Sequence, residues 1–173
     1  MTKFDARKAI EIILYIANKV KEPTFHRISK LFYFADKKHL EYYGRLICDD
    51  EYVAMKHGPV PSEVYDILKS VRGDGTSDFQ HQAKNAFQVR EKYLVKPSRK
   101  ADVNLLSESE EECINAAIEE YGTLSFQELT EKSHDKAWEA ADDNDIISVK
   151  DIASTLSNSK ELLKHLRNPY PGD

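Results

Sequence analysis

Residues 30–45 read KLFYFADKKHLEYYGR, and the five residues 31–35, LFYFA, decide how the chain must fold. At 3.6 residues per turn, five successive apolar side chains point around the whole circumference of a helix, so neighbours must cover it on every side. A helix over residues 25–43 is therefore expected to be central. Thr24, after Pro23, is placed to cap its start, and Gly44 to close it in a left-handed conformation. The same helix carries Asp36 and His39, three apart and so on one face.

Outward from this helix, Ile10, Ile13, Leu14, Ala17 and Val20 recur at helical spacing and predict an amphipathic helix over 4–21. Downstream, LIC (46–48) and YVAM (52–55) are short β-favouring runs separated by DDE, which predicts a small hairpin or extended segment over 45–56. In HGPVP (57–61) the prolines fix φ and drive Gly58 and Val60 to extended geometry, making a stiff strap. Pro61 is expected at the first position of a third helix, with Glu63 in its first turn, running to Val71 and ending at Gly73. Residues 72–86 read as a loop, 87–95 as one half-buried strand and 97–104 as a basic linker. Capping boxes at Ser107/Glu110 and Ser125/Glu128, and a weaker variant at Ser148/Asp151, predict helices over 108–121, 126–140 and 149–166, the first ended by Gly122. Leu124 with Leu129, and Ile147 with Ile152, sit at staple spacing around the last two caps. The fold class expected is mainly α (α+β): a compact helical domain around a central apolar helix, with a small β-hairpin or short antiparallel sheet. A single domain is expected over residues 1–167, with a flexible tail over 168–173.

The composition of the 173 residues, 40% hydrophobic and 32% charged, reads as an ordinary soluble globular protein able to bury one core. The longest apolar run, residues 12–17, is far shorter than the ~20 residues that span a bilayer. The opening MTKFDARKAIEII enters charged helical pattern directly, without the features of a signal peptide, so a cytoplasmic location is expected. The net charge of −5 conceals an asymmetry: residues 1–100 carry 19 Lys/Arg and 13 Asp/Glu, residues 101–173 carry 6 and 17. Two solvated faces that neutralise each other in the fold explain this more simply than a nucleic-acid surface does.

A search for chemistry starts from Asp36 and His39, since a carboxylate orienting an imidazole is two thirds of a nucleophilic triad. No serine lies in a G-x-S-x-G elbow and Cys48 has no neighbouring signature, so a structural hydrogen bond or cap is favoured over a hydrolase. Cys48 and Cys113 read as free buried thiols. His26, His39, His57, His81, His134 and His165 are scattered singly, and no glycine-rich phosphate loop is present, so neither metal nor cofactor is expected. His134 and Trp138 are i, i+4 partners whose rings should pack together. Tyr33, Tyr42, Tyr43, Tyr52, Tyr65 and Tyr93 are amphipathic side chains suited to protein contacts, although some must fill the core.

The segments KLFYFADKKHLEYYGR and EYVAMKHGPVPSEVYDIL together resemble the SocA-like antitoxin domain, also called Panacea and known from phage-associated GepA-like proteins. Tyr33, Phe34, Asp36, His39, Tyr43, Gly44, Tyr52, Gly58, Pro59, Pro61 and Tyr65 carry the resemblance, and His134 and Trp138 extend it downstream. Where relatives commonly have a proline and a Thr-Gly turn after Tyr-Gly-Arg, this chain has Leu46-Ile47-Cys48-Asp49-Asp50. The resemblance implies a mainly helical, non-enzymatic domain that neutralises a protein toxin encoded by an adjacent gene, by masking it or presenting it to a protease. It supplies no catalytic residues. Tyr42, Tyr52, His57 and Tyr65 are the candidates for partner contact. A nucleic-acid-binding regulator is the alternative, and a hydrolase using Asp36 and His39 a more distant one.

Overall fold

In the computed structural model, which describes residues 3–168, the chain runs α1 (Ala6–Lys19), α2 (Phe25–Tyr43), β1 (Tyr52–Met55), β2 (Gly58–Pro61), α3 (Ser62–Arg72), α4 (Gln80–Ala86), β3 (Phe87–Arg90) and β4 (Leu94–Pro97). After a 3-10 turn at Val103–Leu105 come α5 (Glu108–Tyr121), α6 (Phe126–Ser133), α7 (Lys136–Ala140), β5 (Ile146–Ile147), α8 (Val149–Ser154) and α9 (Ser159–Arg167). The fold is mainly helical α+β, as expected. The tail assigned to 168–173 lies, beyond Asn168, outside the described residues.

Helix α2 is the axis of the fold. Every residue from Ile28 to Asp36 is buried, and α1, α3, α5, α6, α8 and β2 pack around it. Its ends are as the local sequence demands: the Thr24 hydroxyl accepts from Arg27 N at 3.1 Å, and Gly44 takes φ +75°. An Asn or Asp tolerates that conformation poorly compared with glycine, and here a Cβ would also meet the His165 ring at 3.0 Å.

Because α2 is covered all round, its polar side chains must find partners inside the protein. Asp36 accepts from Ile47 N at 2.7 Å and from the Tyr52 hydroxyl at 2.6 Å. His39 is held between Arg45 O at 2.8 Å and Ser109 Oγ at 3.0 Å. Both side chains thus make structural hydrogen bonds, with separate partners and not with each other: Asp36 secures the 45–52 segment, and His39 joins that segment to α5. Burial pushes the Asp36 carboxyl up to about 7, against the pull of its two donors.

Several elements depart from expectation. Strand β1 pairs antiparallel with the proline strap itself, in register Tyr52↔Pro61 to Met55↔Gly58, and with β5 on its other edge; residues 46–48 are buried but form no strand. The hairpin therefore turns at Lys56-His57. Pro61 precedes α3 as its cap residue and has no side-chain acceptor. The carboxylate of Asp50 fills that role from a distance, accepting from Glu63 N at 2.9 Å and Val64 N at 3.0 Å. The loop assigned to 72–86 contains α4, and the single strand at 87–95 is a hairpin of β3 and β4. Its turn places Glu91 at φ +53° and Lys92 at +70°, an arrangement usually marked by Asn or Gly and so silent here. The helix assigned to 126–140 breaks at His134, where Asp135 caps a new start by accepting from Trp138 N at 3.0 Å. The one at 149–166 breaks after Ser154, and Thr155 turns its hydroxyl back onto Ile152 O. Both capping boxes and the Ser148 cap are present.

The charge asymmetry is spent partly within the fold. Lys8 with Glu110, Lys37 with Asp135, Lys38 with Glu120 and Arg45 with Glu110 join the basic first hundred residues to the acidic remainder at 2.8–3.1 Å. Burial would raise the Glu110 carboxyl, but Lys8, the Ser107 N–H and Arg45 outweigh it and hold the group at about 2. Cys48 and Cys113 are free and buried. No helix among the described residues is long and apolar enough to cross a membrane.

Asp36→Ala leaves two buried donors without an acceptor and is expected to destabilise the fold by about 2–4 kcal/mol in urea unfolding. Asp36→Asn keeps one acceptor and should lose less than half as much. Between the ordinary 3.8 and about 7 the folded chain holds a proton at Asp36 that the unfolded chain has released. The stability from this group therefore falls as pH rises through that window. The urea midpoint of the Asn variant relative to wild type should shift in the variant's favour from pH 4 to 7, and an unchanged difference would contradict the buried, protonated Asp36.

Candidate functional site

Near the N-terminal end of α2, five chain segments, among them the β3–β4 hairpin through Tyr93, meet around a cleft of about 270 Å³. Helix α2 contributes Phe25, His26 and Lys30; the β1–β2 turn contributes His57; α3 contributes Tyr65; Phe126 opens α6 opposite them. The β3–β4 hairpin fixes this end of α2, since Phe25 N donates to Tyr93 O at 2.9 Å and Val95 N to Pro23 O at 2.9 Å.

The aromatic rim is ordered by ring contacts. Phe126 stacks on His26 with centroids 3.9 Å apart and meets His57 edge-on at 5.1 Å. Phe25 lies edge-on to both Tyr65 and Tyr93 at 6.5 Å, and Arg72 sits 5.0 Å from the Phe25 ring. Phe126 is nevertheless 52% exposed and Tyr93 58%. Large aromatic faces left in water beside a cleft are the usual makings of a binding anchor.

Lys30 supplies the polar floor. Its side chain is buried, with Nζ donating to Pro59 O at 2.9 Å, and it makes no ion pair among the described residues. An ammonium carries three donors, so two are left over. Burial lowers its pKa to about 7. His26, hydrogen-bonded to Thr130 Oγ1 at 2.9 Å, is lowered to about 3 by burial and by the neighbouring Lys30 and His57 charges. Gly58 makes the close approach possible: at φ +111°, a Cβ there would strike Ser133 Oγ and come within 2.9 Å of Lys30 Cε.

Of the residues singled out from sequence, His57 and Tyr65 share this cleft. Tyr42 is 69% exposed but lies at the other end of α2, about 25 Å away along the axis. Tyr52 is corrected: at 1% exposure, with its hydroxyl on Asp36, it belongs to the core and offers no contact surface. Tyr33 and Phe34 are also core residues, Tyr33 donating to Asp135 Oδ2 at 2.7 Å. Tyr43 packs on the His39 ring at 4.9 Å. His134 and Trp138 stack at 3.7 Å as expected, and Trp138 Nε1 donates to Met55 O at 2.9 Å, bracing the turn that carries His57. Pro59 and Pro61 shape the strand beneath, with Pro59 O as the Lys30 acceptor. Asp36 and His39 do not bond to each other: His39 Nε2 meets the Ser109 hydroxyl, but its Nδ1 faces Arg45 O and not a carboxylate. Sequence reading passed over Lys30, His26 and Phe126 as site residues, although a lysine adjoining a fully covered apolar run was a visible signal.

A larger hollow of about 730 Å³ lies beside α1. Its polar floor is already satisfied, since Glu11 accepts from Arg99 at 2.7 and 2.9 Å and from Asp102 N at 2.8 Å.

Two outcomes test this geometry. The Lys30 Cε–H resonance should titrate with a midpoint near 7, whereas exposed lysines hold their protons to about 10; a midpoint near the exposed value would refute a buried ammonium. Gly58→Ala, by forcing a Cβ into Ser133 and Lys30 at positive φ, should destabilise by roughly 2–4 kcal/mol in thermal or urea unfolding.

A family model described as antitoxin SocA-like, Panacea domain, matches residues 28–139. That span holds α2 from Ile28 onward, the hairpin of β1 and β2, and every residue of the cleft except Phe25 and His26. No significant match to the chain is found among curated proteins or among solved structures. With well over half its length matched, the chain belongs to the SocA-like antitoxin family defined by the Panacea domain.

Proposed function

We propose that this chain is a non-enzymatic antitoxin that neutralises a protein toxin by direct binding, and that the cleft beside Lys30 is its docking surface. The reading is carried by one observation: a chain matching an antitoxin family leaves Phe126 and Tyr93 exposed around a cleft. Residues 1–167 act in this proposal as one binding unit. The partner is the product of the adjacent gene, and the working compartment is the cytoplasm. Masking the toxin and presenting it to a protease are both compatible with docking at such a surface.

Two other readings have less support. A nucleic-acid regulator would need free cations in register, and four of the basic side chains are engaged by acidic residues of the C-terminal part. A hydrolase would need Asp36 and His39 to act together, and each is committed to different partners.

Co-expression with the product of the adjacent gene is expected to relieve growth arrest and to yield a co-purifying complex. Replacing both Phe126 and Tyr93 by Ala, on a chain verified as folded by circular dichroism, should weaken the complex by at least roughly tenfold. Persistent arrest with no complex would overturn the antitoxin reading; full rescue by the double variant would overturn only the assignment of the surface. A toxin whose level falls with the antitoxin present, but not in a protease-deficient host, would select presentation over masking.

A further inference from the structure

We infer that the cleft receives a short segment of a protein partner that carries an apolar side chain beside an Asp or Glu, with the carboxylate meeting Lys30. This rests on the antitoxin reading above and specifies the chemistry of the toxin surface.

Three observations lead there. The first is size: about 270 Å³ is at or below the smallest pockets that enclose a drug-sized ligand, and it suits one large side chain. The second is wall chemistry. Phe25, Val60, Tyr65 and Phe126 form an apolar slot, and Phe126 is clasped between two imidazoles, so its face is presented without further ordering on binding.

The third is charge. Among the described residues no Asp or Glu lines the cleft. Arg72 at its margin is already neutralised by Asp74 at 2.6 and 2.8 Å, whereas Lys30 and Lys56 make no ion pair among the described residues. Lys30 is the decisive one. A buried ammonium with one acceptor and two unused donors is a costly arrangement, and an arriving carboxylate supplies the missing acceptor where water is scarce and the hydrogen bond strongest. A nucleic-acid strand fits this less well. It would need several surface cations along its backbone, and this site offers one buried and one exposed lysine with a slot between.

The test uses short peptides and the full chain. Acetyl-Leu-Phe-Glu-amide, titrated while the imidazole C–H signals of His26 and His57 are followed by NMR, should bind with a millimolar Kd, as one anchored ring and one charge provide. Acetyl-Leu-Phe-Gln-amide should bind roughly tenfold more weakly. Lys30→Met should bind the two peptides equally. Phe126→Ala, on a chain verified as folded by circular dichroism, should weaken both. No shift of either histidine at millimolar Glu peptide, equal binding of Glu and Gln peptides to the wild type, or a tighter response to oligothymidylate would each overturn the inference. Because the peptides do not involve the toxin, growth rescue without peptide selectivity would leave the antitoxin reading standing, and selectivity without rescue would leave the site chemistry standing.

Discussion

The fold depends on the requirement that a helix buried on every side must satisfy its polar side chains from within. Helix α2 carries Lys30, Asp36 and His39 into the interior, and each is answered by groups that return to it from elsewhere in the chain. The sets of partners differ but overlap in the chain: Pro59 O meets Lys30, Ile47 N and the Tyr52 hydroxyl meet Asp36, and Arg45 O from that same 45–52 segment meets His39 together with Ser109 Oγ of α5. An unpaired buried polar group costs more than an ordinary hydrogen bond returns, so these contacts act as registration marks. They determine where the hairpin sits, how the 45–52 segment folds back and where α5 begins. The apolar side chains between them supply the burial energy, but such contacts are non-directional and would tolerate other arrangements.

Lys30 differs from the other two anchors. Asp36 has two donors for its carboxylate and His39 a partner for each ring nitrogen, so both are fully committed to architecture. Among the described residues Lys30 has one acceptor for three donors, beside a cleft whose rim holds exposed aromatic rings. Sites that bind combine rigid apolar surface with a polar group left incompletely satisfied, because stability alone would favour completing it. The rigidity comes from outside the cleft: β3 and β4 clamp the start of α2, and Trp138 braces the turn holding His57.

The acidic C-terminal part serves the same frame. Glu110 takes Lys8 and Arg45 while its other oxygen closes the α5 capping box, so one carboxylate joins α1, the 45–52 segment and α5. Asp135 likewise accepts from Tyr33 and Lys37 and caps α7. What looked like a polar split along the chain is in part an interface between its parts. The exposed pairs add little stability individually; the two nearly buried carboxylates specify which surfaces meet.

Local signals accounted for much of this protein. The limits of α2, the Gly44 and Gly73 closures and the two capping boxes follow from residues within a few positions of one another, as do the Ser148 cap and the His134–Trp138 stack. Backbone sterics and i, i+4 geometry act over that range. The all-round burial of residues 31–35 was legible for the same reason, and the family resemblance rests on that segment and the proline strap. Only the tertiary structure decided that the strap would pair with Tyr52–Met55, that Asp50 would cap α3 in place of a residue beside it, and that His26, Lys30, His57 and Phe126 would converge. Partners as far apart in sequence as Lys30 and Phe126 leave no periodicity for a chain reading to detect, because what brings them together is how the covering helices and strands settle on α2.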